Sequence, residues 1–232
     1  MEIETNLFQR VLKVTLLKLG YVFIALGMFL ADQTLTSVVM FPQLFNLKYT
    51  TTLTVILSSL TVAFCLLTLW LANKMNLTDF KLKMRIPKFI GVVVLSAVVI
   101  SIVMAIGSII ITNGGEATSV NQQLLNNLLK TVPLIPYVLV TVLLAPVVEE
   151  FIFRGLIIGK LSPKYKWAGV VVSVIIFALV HSPNNLGSWI LYGGTGVVLA
   201  FTYCKMDSLG TNIAIHLVNN AKTVLIMVLL LS

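Results

Sequence analysis

Charge is what this chain has least of. Of its 232 residues only 10% are Asp, Glu, Lys or Arg and 58% are hydrophobic, against about 25% charged and 45–50% apolar in an ordinary soluble domain. With a mean hydropathy of +1.02, the composition excludes a soluble enzyme and leaves an all-α, polytopic transmembrane helical bundle. Cysteine is almost absent. Cys65 and Cys204 lie in or beside apolar runs and read as packed small hydrophobes rather than a disulfide, which leaves the redox compartment open. No long linker, low-complexity tract or internal repeat stands out. The first apolar run is long and has no small-residue cleavage site, so no cleavable signal peptide is expected. There is no HExxH, the motif that puts two zinc-binding imidazoles on one helix face.

A membrane-crossing helix needs roughly 20 apolar residues. Segments near 19–40, 53–72, 89–112, 134–158, 168–182, 187–204 and 209–231 qualify, giving about seven spans in one integral membrane domain, 1–232. Asp32 interrupts the first and is expected at the outer interface. The net charge of +8 does not indicate nucleic acid, because the basic residues sit in short connections. Arg10, Lys13 and Lys18 precede the first span. Lys74, Lys81, Lys83, Arg85 and Lys88 follow the second, Lys160, Lys164 and Lys166 follow the fourth, and Lys205 follows the sixth. The alternate connections hold only Lys48 and Lys130. By the positive-inside rule the N-terminus is cytoplasmic and the C-terminus outside, and the partner of this surface is the lipid bilayer. Asn113–Lys130 is the longest polar connection; its Val120–Leu129 stretch fits either a surface helix or a solvated loop.

Against this background the ionisable residues inside apolar runs need a reason, since each costs at least about 2.5–3.5 kcal/mol at membrane depth. The fourth span carries Glu149, Glu150 and Arg154. Glu150 and Arg154 are four apart, the favourable order for an ion pair on one helix face. Glu149 projects about 100° away and is free to meet another helix. Pro146 threatens to kink the helix and leave a carbonyl unpaired beside them. The fifth span offers Phe177 and His181 on one face, and the last offers His216 and Asn220. Alone, each His is better explained by packing or interhelical hydrogen bonding. At about 1.5 Å per residue, Glu149 lies about 14 Å, His216 about 10 Å and His181 about 20 Å from the cytoplasmic helix ends. The three spans can therefore converge on one polar pocket. Lys222 lies off the His216 face and reads as packing or a cavity charge.

EExxxR, FxxxH and HxxxN, in this order on successive membrane helices, resemble the motifs of the CPBP family of CAAX prenyl endopeptidases and bacteriocin-processing proteins, also called Abi. The resemblance covers about residues 134–227, and every signature position is present. It implies a glutamate-dependent intramembrane endopeptidase of the bacterial plasma membrane, acting on a membrane-associated peptide or protein, with a site open toward the cytosol. Glu149 with His181 would activate water, while His216 and Asn220 would hold the oxyanion. Glu150 paired to Arg154 would fix the helix, and Phe177 would shield the imidazole. Zinc is the open cofactor question, with Glu149, His181 and His216 as candidate ligands and a water as the fourth. The bacterial branches imply bacteriocin immunity or pheromone processing. Two other readings stand beside it: a non-catalytic membrane scaffold or immunity protein, and a proton-coupled transporter, against which the lack of a repeat weighs.

Overall fold

The computed structural model describes residues 2–77 and 84–231 and has no strand among them. Lys81 and Lys83 of the basic connection lie outside the described residues. Among the described residues eight helices follow one another: α1 (Glu2–Met40), α2 (Thr51–Lys74), α3 (Ile86–Asn113), α4 (Val120–Leu129), α5 (Leu134–Leu161), α6 (Lys166–Leu179), α7 (Leu186–Met206) and α8 (Leu209–Leu231). Six of them, all but α4 and α6, are long and apolar enough to cross a membrane. The protein is a multi-pass membrane bundle. The fifth expected span is the short one, a helix of 14 residues that reaches only about 21 Å. Asp32 does not interrupt α1, and the polar connection does hold a helix, α4.

Local chemistry starts and stops these helices. Thr50 caps α2 through its hydroxyl, which accepts from the Leu53 amide, and Ser119 caps α4 by accepting from Gln122. Asn185 and Ser188 form a reciprocal capping box at the head of α7, satisfying amides that otherwise have no partner in a helix's first turn. Asp207 closes α7 in the left-handed region at φ 47°.

The centre of the bundle is α5. From Val147 to Ile158 its side chains are nearly all buried, as a helix apolar on every face must be. It is not a regular helix. Leu139–Leu144 and Phe151–Leu161 wind in π-helical turns on either side of α-helical Ala145–Glu150. The irregularity expected at Pro146 takes this form. Ala145 N–H reaches back five residues to the Val140 carbonyl. In the same register Pro146 would serve Thr141, but proline has no N–H. The amide of Asn220 supplies the missing donor, with Nδ2 to the Thr141 carbonyl at 2.9 Å.

Around this core α3 and α7 cross so closely that their backbones nearly touch. A Cβ on Gly187 would stand 2.5 Å from the Gly107 carbonyl oxygen and 2.6 Å from Ile111 Cγ1. Valine at Gly187 is therefore expected to destabilise the protein by about 1–3 kcal/mol through overpacking. This would appear as a lower unfolding midpoint in detergent. Alanine at Gly91, which has nothing within 4 Å, should leave the midpoint unchanged or slightly raised.

Candidate active site

The site is built outward from one carboxylate. Glu150 and Arg154 are both wholly buried and paired, Nη1 to Oε1, at 2.9 Å, as the spacing along one helix face requires. Arg154 also donates Nη2 to the Gly196 carbonyl of α7 at 3.1 Å, and its guanidinium carbon lies 4.7 Å from the centre of the Phe177 ring. Glu150 takes two further partners from α8, Asn212 Nδ2 at 3.1 Å and His216 Nδ1 at 2.9 Å. A carboxylate that already pairs with arginine is an acceptor, so His216 donates from Nδ1. Its Nε2 then faces Glu149, 3.8 Å from Oε2. That Oε2 is buried and has no hydrogen-bond partner.

His181 stands beyond the last turn of α6, with Nδ1 2.7 Å from the Phe177 carbonyl. A carbonyl can only accept, so the proton is on Nδ1 and Nε2 keeps its lone pair. The ring stacks on Tyr192 of α7 at 4.6 Å and 19°, and the Tyr192 hydroxyl is 2.7 Å from Ser119 Oγ. Phe177, 1% exposed, sits between the imidazoles, its centroid 4.8 Å from His181 and 5.9 Å from His216. It also meets Phe153 edge-on at 5.5 Å. The face shared at four-residue spacing, read from the sequence for Phe177 and His181, is the face that forms.

Glu149, Phe177, His181, His216 and Asn220 line a single cavity of about 380 Å³. Glu150 and Arg154 do not line it; they lie behind its wall. Asn220, expected beside His216 as an oxyanion donor, has one amide hydrogen committed to Thr141, which leaves one. No group of three His, Cys, Asp or Glu side chains placed to hold a metal ion is found among the described residues; the Nδ1 atoms of both imidazoles are hydrogen-bonded, which leaves Nε2 as the unengaged ring nitrogen of each.

Three residues escaped the sequence reading. Asn212 precedes His216 by four and Asn220 by eight, so the stripe it shares with them was visible, though the shorter HxxxN drew the eye. Its amide holds both Glu150 and the Leu199 carbonyl, the latter at 2.7 Å. Tyr192 and Ser119 have no motif to mark them. Asp32, expected at the outer interface, is 5% exposed on the stripe of α1 that walls the cavity, with Phe29, Thr36 and Met40 at helical spacing beside it. Lys222 serves packing, donating to Ser101 Oγ on α3 at 2.6 Å and to Asn219 Oδ1 at 3.1 Å.

Since removing one member of a buried ion pair strands the other, Arg154→Met is expected to cost about 3–5 kcal/mol. Asn212→Leu, which leaves one carboxylate oxygen and one carbonyl without their donor, is expected to cost about 1–3 kcal/mol. Unfolding midpoints of the purified variants in detergent check both and their order.

Residues 131–222 match the family described as Type II CAAX prenyl endopeptidase Rce1-like. The chain is 33% identical over 110 residues to UPF0177 protein YvdC of Lactococcus lactis subsp. lactis (strain IL1403), covering 47% of this chain and 41% of that one. It is 28% identical over 165 residues to the membrane-embedded CAAX protease MroQ of Staphylococcus aureus (strain USA300), covering 66% and 65%. It is 34% identical over 109 residues to the putative membrane peptidase YdiL of Bacillus subtilis (strain 168), covering 46% and 43%. In each case the match spans less than two thirds of the relative's length. No solved structure matches. Over residues 131–222 this multi-pass membrane protein is therefore similar to the Rce1-like, type II CAAX prenyl endopeptidase family.

Proposed function

We propose that the protein is an intramembrane endopeptidase that cleaves a membrane-associated peptide or protein, with Glu149 as its general base. The observation that carries this reading is the contrast between two adjacent carboxylates. Glu150 is saturated by Arg154, His216 and Asn212, whereas Glu149 keeps a buried, unpartnered oxygen at a cavity wall. An unpaired carboxylate oxygen shielded from bulk water is costly to keep and well suited to take a proton.

In this mechanism a water in the cavity gives a proton to Glu149 while its oxygen adds to the scissile carbonyl. The Nε2 lone pair of His181, left free because Nδ1 donates to Phe177, holds the second hydrogen of that water. The carbonyl becomes an oxyanion, and two donors suit it: the remaining amide hydrogen of Asn220 and Nε2–H of His216 when that ring is an imidazolium. Glu150 stabilises the imidazolium from the Nδ1 side, the role an orienting carboxylate takes toward a catalytic histidine. When the tetrahedral adduct breaks, Glu149 returns its proton to the departing amine, so protons balance over the cycle. Such donors are typically worth about 2.7–4 kcal/mol each. No step passes through a metal. The resemblance to bacteriocin-processing proteins favours bacteriocin immunity or the trimming of a secreted or signalling peptide as the setting.

Glu149→Gln keeps the volume and removes the base, and is expected to slow cleavage by about 10²–10⁴-fold without lowering the unfolding midpoint. The measurement is a comparison of membrane and secreted peptides from cells producing wild type and variant at equal abundance. A precursor that accumulates only with the variant supports proteolysis and identifies the substrate. Identical peptide profiles with the wild-type phenotype retained would replace the peptidase with a scaffold.

A further inference from the structure

The cavity lies at one end of the bundle, and the chain's charge says which end that is. The basic residues Lys74, Arg85, Lys88, Lys160, Lys164, Lys166 and Lys205 all flank the same ends of the helices by connectivity, together with Arg10, Lys13 and Lys18 of the N-terminal segment. The opposite ends carry only Lys48 and Lys130. That asymmetry puts the first set in the cytoplasm.

The cavity is walled by the other ends. Its lining includes Met40 from the last turn of α1, Leu124 of α4, Thr141 near the start of α5, Ser182 in the α6–α7 turn, and Met227 near the end of α8. Gln33, Leu124 and Ser182 of this wall are exposed, and Gln33 and Ser182, with the neighbouring Asn121 and Gln122, give the rim a polar character suited to water rather than lipid. Toward the basic ends the described residues of α5 are packed. Between Glu149 and Lys160, about 16 Å of helix, Glu150, Arg154, Leu156 and Ile158 are each 0% exposed. Glu149 and His216 thus stand at the closed end of a cavity whose wet rim is on the side away from the basic connections.

We propose that water and substrate reach Glu149 from the non-cytoplasmic face, so that the substrate is a peptide, or a membrane-anchored segment, presented outside the cytoplasm. This is the opposite of the cytosolic opening that the family resemblance implies. It rests on the peptidase reading for its substrate, but the direction of access can be measured without any cleavage.

The experiment uses the full chain in its native membrane with Cys65 and Cys204, both free thiols, replaced by serine. Single cysteines are then placed by Ser182→Cys at the rim, Thr195→Cys inside the cavity and Lys164→Cys in the basic connection. The probe is a permanently charged methanethiosulfonate, which does not cross hydrocarbon. It is applied in parallel to intact cells and to inverted membrane vesicles. Ser182→Cys and Thr195→Cys are expected to react at least about tenfold faster in intact cells, and Lys164→Cys faster in vesicles, because a fixed charge is excluded from the bilayer core. Reaction of Thr195→Cys only from the vesicle side overturns the proposal. So does a Thr195→Cys that reacts from neither side, since the cavity would then be sealed from the outer face. Failure of the Glu149→Gln comparison would remove the peptidase and leave these labelling rates as they are.

Discussion

The Glu150 carboxylate is the interaction on which the rest of the site depends. Placing a charge in the middle of a membrane bundle is tolerable only when every lone pair is met, and Glu150 is met from two helices at once. Arg154 comes from its own helix, and Asn212 and His216 from α8. Arg154 extends the network to α7 through the Gly196 carbonyl. A buried pair of this kind adds little net stability over a hydrophobic replacement, but losing one partner is severe. Its value is positional: three helices are held in one register, and the His216 ring is turned with Nε2 toward Glu149. The division of labour between the two glutamates follows. Glu150 takes the hydrogen bonds of Arg154, Asn212 and His216, while Glu149 Oε2 is left with no hydrogen-bond partner and with His216 Nε2 at 3.8 Å.

A second constraint comes from proline. In the five-residue register of the π-helical turns, Pro146 leaves the Thr141 carbonyl without its donor, and Asn220 fills the gap. An irregular backbone at membrane depth is tolerated where it is buried in protein and its freed groups are paired again. Here the repair comes from Asn220, a residue that also lines the cavity. The π-helical turns, the polar stripe of α8 and the placement of Asn220 are therefore one arrangement.

Much of this was legible in the sequence, for a physical reason. Hydrocarbon penalises polarity so heavily that the few ionisable residues inside apolar runs mark the site, and helical spacing alone pairs Glu150 with Arg154 and Phe177 with His181. The segment at 168–182 is the shortest of the expected spans: α6 has 14 residues, with one side packed on α5 and α7 and Val171, Val172, Ile175 and Ile176 exposed on the other. That Asp32 walls the cavity could not be read from the sequence, because a lone carboxylate late in a span does not show that the stripe around it faces a cavity. Tyr192 and Ser119, joined across 73 positions, could not be read from local pattern at all, since what selects them is the shape of the wall behind His181.

The boundary of the family match falls in an informative place. Residues 131–222 contain every group assigned to the chemistry: the carboxylates, the imidazoles, Asn212 and Asn220. The cavity wall is not confined to that stretch. It borrows Phe29 to Phe41 from α1 and its end, and Asn121 to Leu128 from α4, and those segments supply Asp32 and most of the polar rim. Ser119, also outside the matched residues, holds the Tyr192 ring on which His181 is stacked. The reacting groups and the passage that leads to them are thus encoded in different parts of the chain. Substitutions in α1 and α4 can change what the cavity admits while the hydrogen bonds of Glu150, which come from α5 and α8 alone, stay as they are.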